Sequence, residues 1–167
     1  MRMFFLALLT AALALAQKVT VEFDQSVDFG RYHTFAITQG KLNSRNPALN
    51  SDIVKKNLED SIGRHLQAKG LMEVLNHADL NVRYQLGSAN KKQVEHYPAG
   101  WGTRTVRIPY TEGTLVIDLR DASLQSLVWR SIAHEDKNEP EKIAGKLDDM
   151  VKKSIAKYPP KPGSTSQ

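Results

Sequence analysis

The chain contains no cysteine among its 167 residues. Disulfide bonds, which often hold small exported domains together, are therefore impossible, and zinc sites built on thiolates are excluded as well. The portion after residue 16 is long enough to bury one ordinary hydrophobic core. We expect a single domain over residues 17–160 that is held by packing alone, followed by a disordered polar tail at residues 161–167.

Long apolar runs are scarce too, and the one that is present lies at the start of the chain. After Arg2 it covers residues 3–15 with one interruption and ends in the small residues of an A-x-A motif. It is shorter than the roughly 20 apolar residues that cross a bilayer. We therefore predict a signal peptide at residues 1–16, cleaved after Ala16, and a periplasmic or secreted mature protein. Because Gln17 follows the cut instead of cysteine, lipid attachment is excluded at this site.

No part of the sequence concentrates charge of one sign. The formal net charge is +5, and +4 remains without Arg2. Lysine and arginine are interspersed with acidic residues along the chain, so the sequence lacks the basic stripe that is typical of a nucleic-acid-binding protein. A positive surplus attracts anionic polymers, although solubility alone explains it as well. An envelope protein or anionic polymer is the expected partner class, nucleic acid is not expected, and the oligomeric state stays open.

Alternating apolar and polar residues, the period of a half-buried strand, recur along the chain. This period predicts strands at residues 18–23, 78–86, 112–119 and 127–134. A segment rich in aromatic and β-branched residues predicts another at 32–38, and a short strand is expected at 71–74. Residues 39–49 are predicted to form a loop because they contain glycine, asparagine and proline. Residues 91–110 contain further prolines and glycines, and we expect two irregular strands there around a hairpin tip.

Two segments instead carry apolar residues at the three- and four-residue spacing of a helix. The first begins near Asn50 or Ser51, either of which is suited to cap it, and ends near Gly70. Its predicted apolar stripe comprises Ile53, Val54, Leu58, Ile62 and Leu66. The second covers residues 138–158. Together the elements predict a single α+β domain, with a mainly antiparallel sheet of about six strands and two helices packed on one face.

Catalytic, metal-binding and cofactor-binding motifs are absent from the sequence. The histidines show no i, i+4 pair of the kind that binds zinc on a helix, and no serine lies in a Gly-x-Ser-x-Gly turn. The densest cluster, at residues 134–136, is explained by solvated loop charge, and we expect neither a metal nor a cofactor. An enzyme remains possible if Asp118, Glu135 or His134 converge in three dimensions, most plausibly as a hydrolase acting on an envelope substrate.

Asp118 stands out because it interrupts an apolar run. A carboxylate that is removed from water without a partner costs several kcal/mol. Arg130 on a neighbouring predicted strand is a suitable partner, and Arg83 and Arg120 are alternatives. We expect a buried ion pair between Asp118 and Arg130, and the other interpretation is an acid in a cleft.

The hairpin tip is the best candidate for a contact surface. Trp101 lies among glycines and a proline, where no regular element buries it, and Tyr97, Arg104 and Arg107 are close in sequence. Tryptophan, tyrosine and arginine dominate binding hot spots. These four residues form the predicted binding site.

Five phrases of the sequence occur together in a known family. They are VDFGRYHTFA at residues 27–36, ADLNVRY at 78–84, EGTLVIDL at 112–119, LVWR at 127–130 and YPP at 158–160. In this order they resemble the domain of unknown function family 4136, a group of small bacterial cell-envelope proteins, from Val19 to Pro160. Many members look like lipoproteins, from which this chain departs at Gln17. The resemblance implies no catalytic residue, and we expect a binding or accessory module of the envelope.

Overall fold

The computed structural model describes residues 18–44, 46–99, 102–137 and 140–161, and their side chains except those of residues 18, 88–112 and 136–140. The strands are β1 (Lys18–Phe23), β2 (Thr34–Ser44), β3 (Met72–Glu73), β4 (Leu80–Ala99), β5 (Gly102–Asp121) and β6 (Leu127–Lys137). The helices are α1 (Asp52–Gln67), α2 (Pro140–Ala144) and α3 (Leu147–Ala156). The predicted signal peptide lies outside the described residues. Within them, no helix has the length and apolar character needed to span a membrane.

The six strands form one sheet in the order β1-β6-β5-β4-β2-β3. The three pairings among β1, β6, β5 and β4 are antiparallel. The pairings of β2 with β4 and with β3 are parallel, so the sheet is mixed: it is mainly antiparallel, as expected, but it is parallel at the edge formed by β2 and β3. The reason is the connection: α1 carries the chain from the end of β2 back to its start, which is the crossover that a parallel neighbour requires.

The core lies on one face of the sheet, beneath the helices. Buried side chains alternate along the strands with partly exposed ones, as in Leu80, Val82, Tyr84 and Leu86 of β4. The same face is formed by the following buried residues of β5 and β6: Leu115, Ile117, Leu119, Trp129 and Ala133. The α+β class and the packing of helices on one face are therefore as expected.

Helix α1 begins where the hydroxyl of Ser51 accepts a hydrogen bond from the backbone N–H of Val54, at 3.3 Å. Its buried stripe contains Val54, Leu58, Ile62 and Leu66. Ile53, which we expected in that stripe, is 73% exposed. Each residue rotates the helix by about 100°, so Ile53 lies too far round from Leu58 and Ile62 to reach the core.

The second predicted helix is divided into α2 and α3 by Gly145 and Lys146. Glycine is among the poorest helix formers, and at this point the Lys146 N–H bonds to the Ile143 carbonyl three residues back. The break lets α2 pack separately against β5. A Cβ atom on Gly113 would lie 2.6 Å from the Ile143 Cγ2 atom, so Gly113 gives α2 its close approach to the sheet.

Strands β2, β4, β5 and β6 are longer than the sequence predicts, whereas β1 has the predicted bounds and β3 is shorter. β2 continues through the expected loop to Ser44 because residues 39–44 pair with residues 83–88 of β4 after a bulge at Thr38. Strand pairing here overrides the weak local preference of glycine and asparagine. The expected irregular strands at residues 91–110 are regular in their described part.

Among the described residues, 91–99 and 102–110 pair only with each other, since the pairing of β2 with β4 ends at Ser88 and that of β6 with β5 ends at Thr111. We call these two segments the hairpin arm.

Candidate functional site

The face of the sheet opposite the helices carries polar and charged side chains. Asp118 lies between Ile117 and Leu119, and Arg130 lies between Trp129 and Ser131, all four of which are fully buried on the helix side. Successive side chains of a strand point to opposite faces. Asp118 and Arg130 therefore belong to the face that no helix covers in the described part of the chain, which we call the open face.

A row of alternating charge crosses four strands of the open face. Glu22 of β1 pairs in register with Arg130 of β6, which pairs with Asp118 of β5, which pairs with Arg83 of β4. Neighbouring side chains along such a row are about 5 Å apart at their Cβ atoms. The two inner members of the row, Arg130 and Asp118, thus each have an oppositely charged neighbour on both sides.

Asp118 and Arg130 form a two-pronged ion pair at the centre of this row. Arg130 donates from Nε to Oδ1 and from Nη2 to Oδ2 of Asp118, both at 2.7 Å. The pair is half-buried and not buried, because the Arg130 side chain is 35% exposed and that of Asp118 is 16% exposed. The Asp118 carboxylate, with a smaller contribution from Glu22, raises the pKa of Arg130 above its usual value. Both ion-pairing oxygens of Asp118 are thereby occupied.

Arg83 and Arg120 complete a group of three arginines around one aspartate. The Nε atoms of Arg83 and Arg120 are both buried and have no hydrogen-bond partner in the described part of the chain. Arg120 uses Nη2 to donate to the Gln125 carbonyl, whereas Arg83 lies opposite an aspartate that Arg130 already occupies. Guanidinium groups bind carboxylates and phosphates through paired N–H donors. The arrangement is therefore chemically suited to hold an anionic group.

The residues proposed for hydrolysis do not converge. His134 lies opposite Thr114, with which its Nδ1 atom shares a hydrogen bond of 3.1 Å, and Thr114 is four residues from Asp118, about 13 Å along a strand. Glu135 is buried on the helix side with Ala133, away from both. Within the described residues, no group of three or more histidine and carboxylate side chains is placed to hold a metal ion.

The predicted hairpin site falls largely outside what the structure describes. Trp101 is outside the described residues, as are the side chains of Tyr97, Arg104 and Arg107. The backbone pairs Tyr97 with Arg104 near the end of the hairpin arm, and Arg107 pairs with Val94. Three of the four residues thus lie on the arm.

Sequence reasoning missed a second carboxylate, Asp121, at the end of β5. It is 2% exposed and accepts hydrogen bonds from the Ser123 hydroxyl at 2.7 Å and N–H at 2.9 Å, the Leu124 N–H at 2.9 Å and the Tyr32 hydroxyl at 3.0 Å. These bonds, led by that of Ser123, lower the pKa of Asp121 to about 2. The signal was the Asp-x-Ser order, which is typical of a turn closed by an aspartate side chain. Asp121 holds the β5–β6 turn and the segment before β2 together, which is a structural role.

Solved structures with the same fold include three from bacteria. A DUF4136 family protein from Bacteroides thetaiotaomicron is 15% identical, with a TM-score of 0.57 over 86% of this chain and 96% of that one. A PDZ domain protein from Parabacteroides distasonis is 16% identical, with a TM-score of 0.59 over 87% of this chain, which spans only 36% of that protein. The PelC dodecamer from Paraburkholderia phytofirmans is 10% identical, with a TM-score of 0.53 over 83% and 96%. At these identities the likeness shows the fold alone.

No curated protein sequence matches the chain. The family model described as a domain of unknown function, DUF4136, matches residues 19–160, which is nearly all of the described chain. The resemblance carried by the five sequence phrases is thereby confirmed. This chain belongs to the DUF4136 family.

Proposed function

We propose that the protein is an exported component of the cell envelope that acts by binding and performs no chemistry of its own. The leader-like residues 1–16 and the cysteine-free sequence support a soluble form outside the cytoplasm. The contact surface consists of the open face, the hairpin arm with Tyr97, Arg104 and Arg107, and Trp101, which lies between the two strands of the arm in sequence. The ligand is an anionic envelope polymer that carries carboxylate or phosphate groups.

This proposal rests mainly on an unpaired donor of the Arg83 guanidinium. Its Nε atom is buried without a hydrogen-bond partner among the described residues, although a buried donor left unpaired costs about 1–3 kcal/mol. An anion on the open face would accept from Arg83 and Arg120 together and remove that cost. The ion pair of Asp118 and Arg130 holds the neighbouring side chains in place.

The alternative of a hydrolase draws no support from the geometry, since Asp118 and His134 are about 13 Å apart along the sheet and Glu135 lies on its other face.

Anion binding is tested with a defined carboxylated polysaccharide, alginate, by affinity electrophoresis and calorimetry. We expect Arg83→Ala with Arg120→Ala to weaken binding by about tenfold or more, because two charge-assisted contacts of roughly 1.5–3 kcal/mol each are lost. Lys152→Ala with Lys146→Ala is the matched control, since it removes the same charge from two exposed positions in and just before α3. Equal loss in both variants would mean that net charge alone drives binding and would contradict a built site.

Export is tested by expressing the full chain in a bacterium and separating the cell fractions. We expect the periplasmic protein to begin at Gln17 by mass spectrometry. An Ala16→Trp variant should retain its leader, because signal peptidase accepts only small residues at that position. A full-length protein that stays in the cytoplasm would contradict the proposed location.

A further inference from the structure

Asp118 has an arginine in register on each side. Its pairing partner on β6 is Arg130, and its partner on β4 is Arg83. Side chains directly opposite each other on antiparallel strands have Cβ atoms about 5 Å apart, so both guanidinium groups are within reach of one carboxylate. Arg130 occupies both oxygens of that carboxylate, each at 2.7 Å, whereas the Nε atom of Arg83 has no partner among the described residues. Asp118 is therefore a potential ligand of Arg83 that is bound to Arg130 instead.

The neighbours on the far side of each arginine make Arg83 the available one. Arg130 pairs there with Glu22 of β1, so it lies between two carboxylates. Arg83 pairs there with Gln39 of β2, which carries no charge. Asp118 is the acidic neighbour of Arg83 in this row, and Arg130 has already taken both of its oxygens. Arg83 thus keeps a positive charge that its neighbours in the row do not compensate.

An anionic ligand and Asp118 offer Arg83 the same chemistry. Because Asp118 is fixed on the adjacent strand, it competes at a high effective concentration once it is released from Arg130. Arg120 lies two residues further along β5, on the same face, and already donates to the Gln125 carbonyl. A released Asp118 would therefore turn to a guanidinium of the proposed anion site, and an external anion would have to displace it.

We propose that Arg130 is a positioning residue of the anion site, which holds Asp118 away from Arg83 and thereby sets the affinity of the site without touching the ligand. The inference rests on the anion binding proposed above and adds to it an internal competitor, Asp118. It accounts for an acidic side chain at the centre of a surface that binds anions, because the charge of this side chain is compensated by Arg130.

The test measures the binding of alginate to the mature chain, residues 17–167, by calorimetry. We expect Arg130→Gln to weaken binding by about tenfold or more, because the freed Asp118 takes the charge-assisted bonds of Arg83. Adding Asp118→Asn removes the competitor and should restore the affinity to within about threefold of the parent, as expected for directly coupled residues. If Arg130 touched the polymer itself, the second substitution would restore nothing.

Two control variants separate this effect from net charge. Lys152→Gln removes one positive charge from an exposed position of α3 and should bind within about twofold of the parent, because distant exposed charges are screened. Arg130→Gln with Glu141→Gln, which lies in α2, has the net charge of the restored protein but keeps Asp118. It should bind as weakly as Arg130→Gln alone. Circular dichroism and the melting temperature show whether each variant is folded.

The outcomes distinguish this inference from the proposed function. If the parent binds alginate and Arg130→Gln binds it equally well, the role of Arg130 is overturned and the anion site stands. The same holds if Asp118→Asn restores nothing, or if Glu141→Gln restores as much. A parent chain that binds no alginate, or that loses nothing on Arg83→Ala with Arg120→Ala, overturns the proposed function and this inference with it.

Discussion

At the scale of single residues, the structure identifies the partners of two aspartates, Asp118 and Asp121. Sequence reasoning named Asp118 as a carboxylate in need of a partner, and three arginines were candidates for it. The choice of Arg130 depends on strand order and register, which place β6 beside β5, and local patterns do not contain that information. For Asp121, the Asp-x-Ser order in the sequence indicates the local turn. Its contact with Tyr32, 89 residues away, depends on the fold and has no signal in the sequence.

Asp121 should make stability depend on acidity. Its pKa is about 2 in the folded protein against an ordinary value of 3.8, so its contribution is complete above pH 4 and is lost as the pH falls toward 2. We expect Asp121→Asn to lower the free energy of unfolding by about 1–3 kcal/mol at neutral pH. Urea melts between pH 2 and pH 6 should show a flatter dependence for the variant, and an unchanged slope would contradict this role.

At the scale of elements, strand and helix types were predictable, and their lengths were not. The alternation of apolar residues in β4 and β5 was visible in the sequence and places Val82 and Ile117 in the core. β2 extends to Ser44 only because β4 lies beside it, which no local preference indicates. The boundary between α2 and α3 lies at Gly145 and Lys146, a point at which the apolar spacing of the sequence continues without a break.

Gly40 is required by the contact between β2 and β4. A Cβ atom there would overlap the Tyr84 ring, whose hydroxyl donates to the Glu59 carboxylate at 2.8 Å. We expect Gly40→Ala to displace Tyr84 and to cost about 1–3 kcal/mol of unfolding free energy.

A double-mutant cycle with Tyr84→Leu checks the cause of that loss. Chemical denaturation of the four proteins should show that Gly40→Ala costs far less once the ring is absent. Equal costs in the two backgrounds would assign the loss to the backbone of β2 and not to the contact with Tyr84.

At the scale of the whole molecule, the backbone of the hairpin arm extends past the strands that flank β4 and β5. In the described part of the chain, β2 pairs with β4 only as far as Ser88 and β6 pairs with β5 only as far as Thr111, so the core residues of these two strands from Leu80 to Leu86 and from Leu115 to Leu119 do not depend on the arm for their pairing. Replacing residues 91–110 by a two-residue Asn-Gly turn should leave the melting temperature of the monomer within a few degrees of the parent, about 1 kcal/mol or less.

Hydrogen exchange offers a second measurement on the intact chain. Amides of residues 91–97 should exchange much faster than those of Leu80, Val82 and Leu86 in dilute samples, because each arm strand is paired on one side only. Equal exchange rates for the arm amides and for those of Leu80, Val82 and Leu86 would contradict this expectation.

Strand β1 has a further consequence for how the chain acquires its structure. Its sheet partner is β6, and the contact of Thr20 with the Ile132 carbonyl joins residues 112 positions apart. A ribosome or a translocation channel delivers β1 first and β6 after all the other strands. The apolar side chains of β1 therefore stay exposed, and its backbone stays unpaired with β6, until almost the entire domain has emerged. The first strand of the sequence is thus among the last to join the sheet, and it is the segment that a holding chaperone has most time to bind.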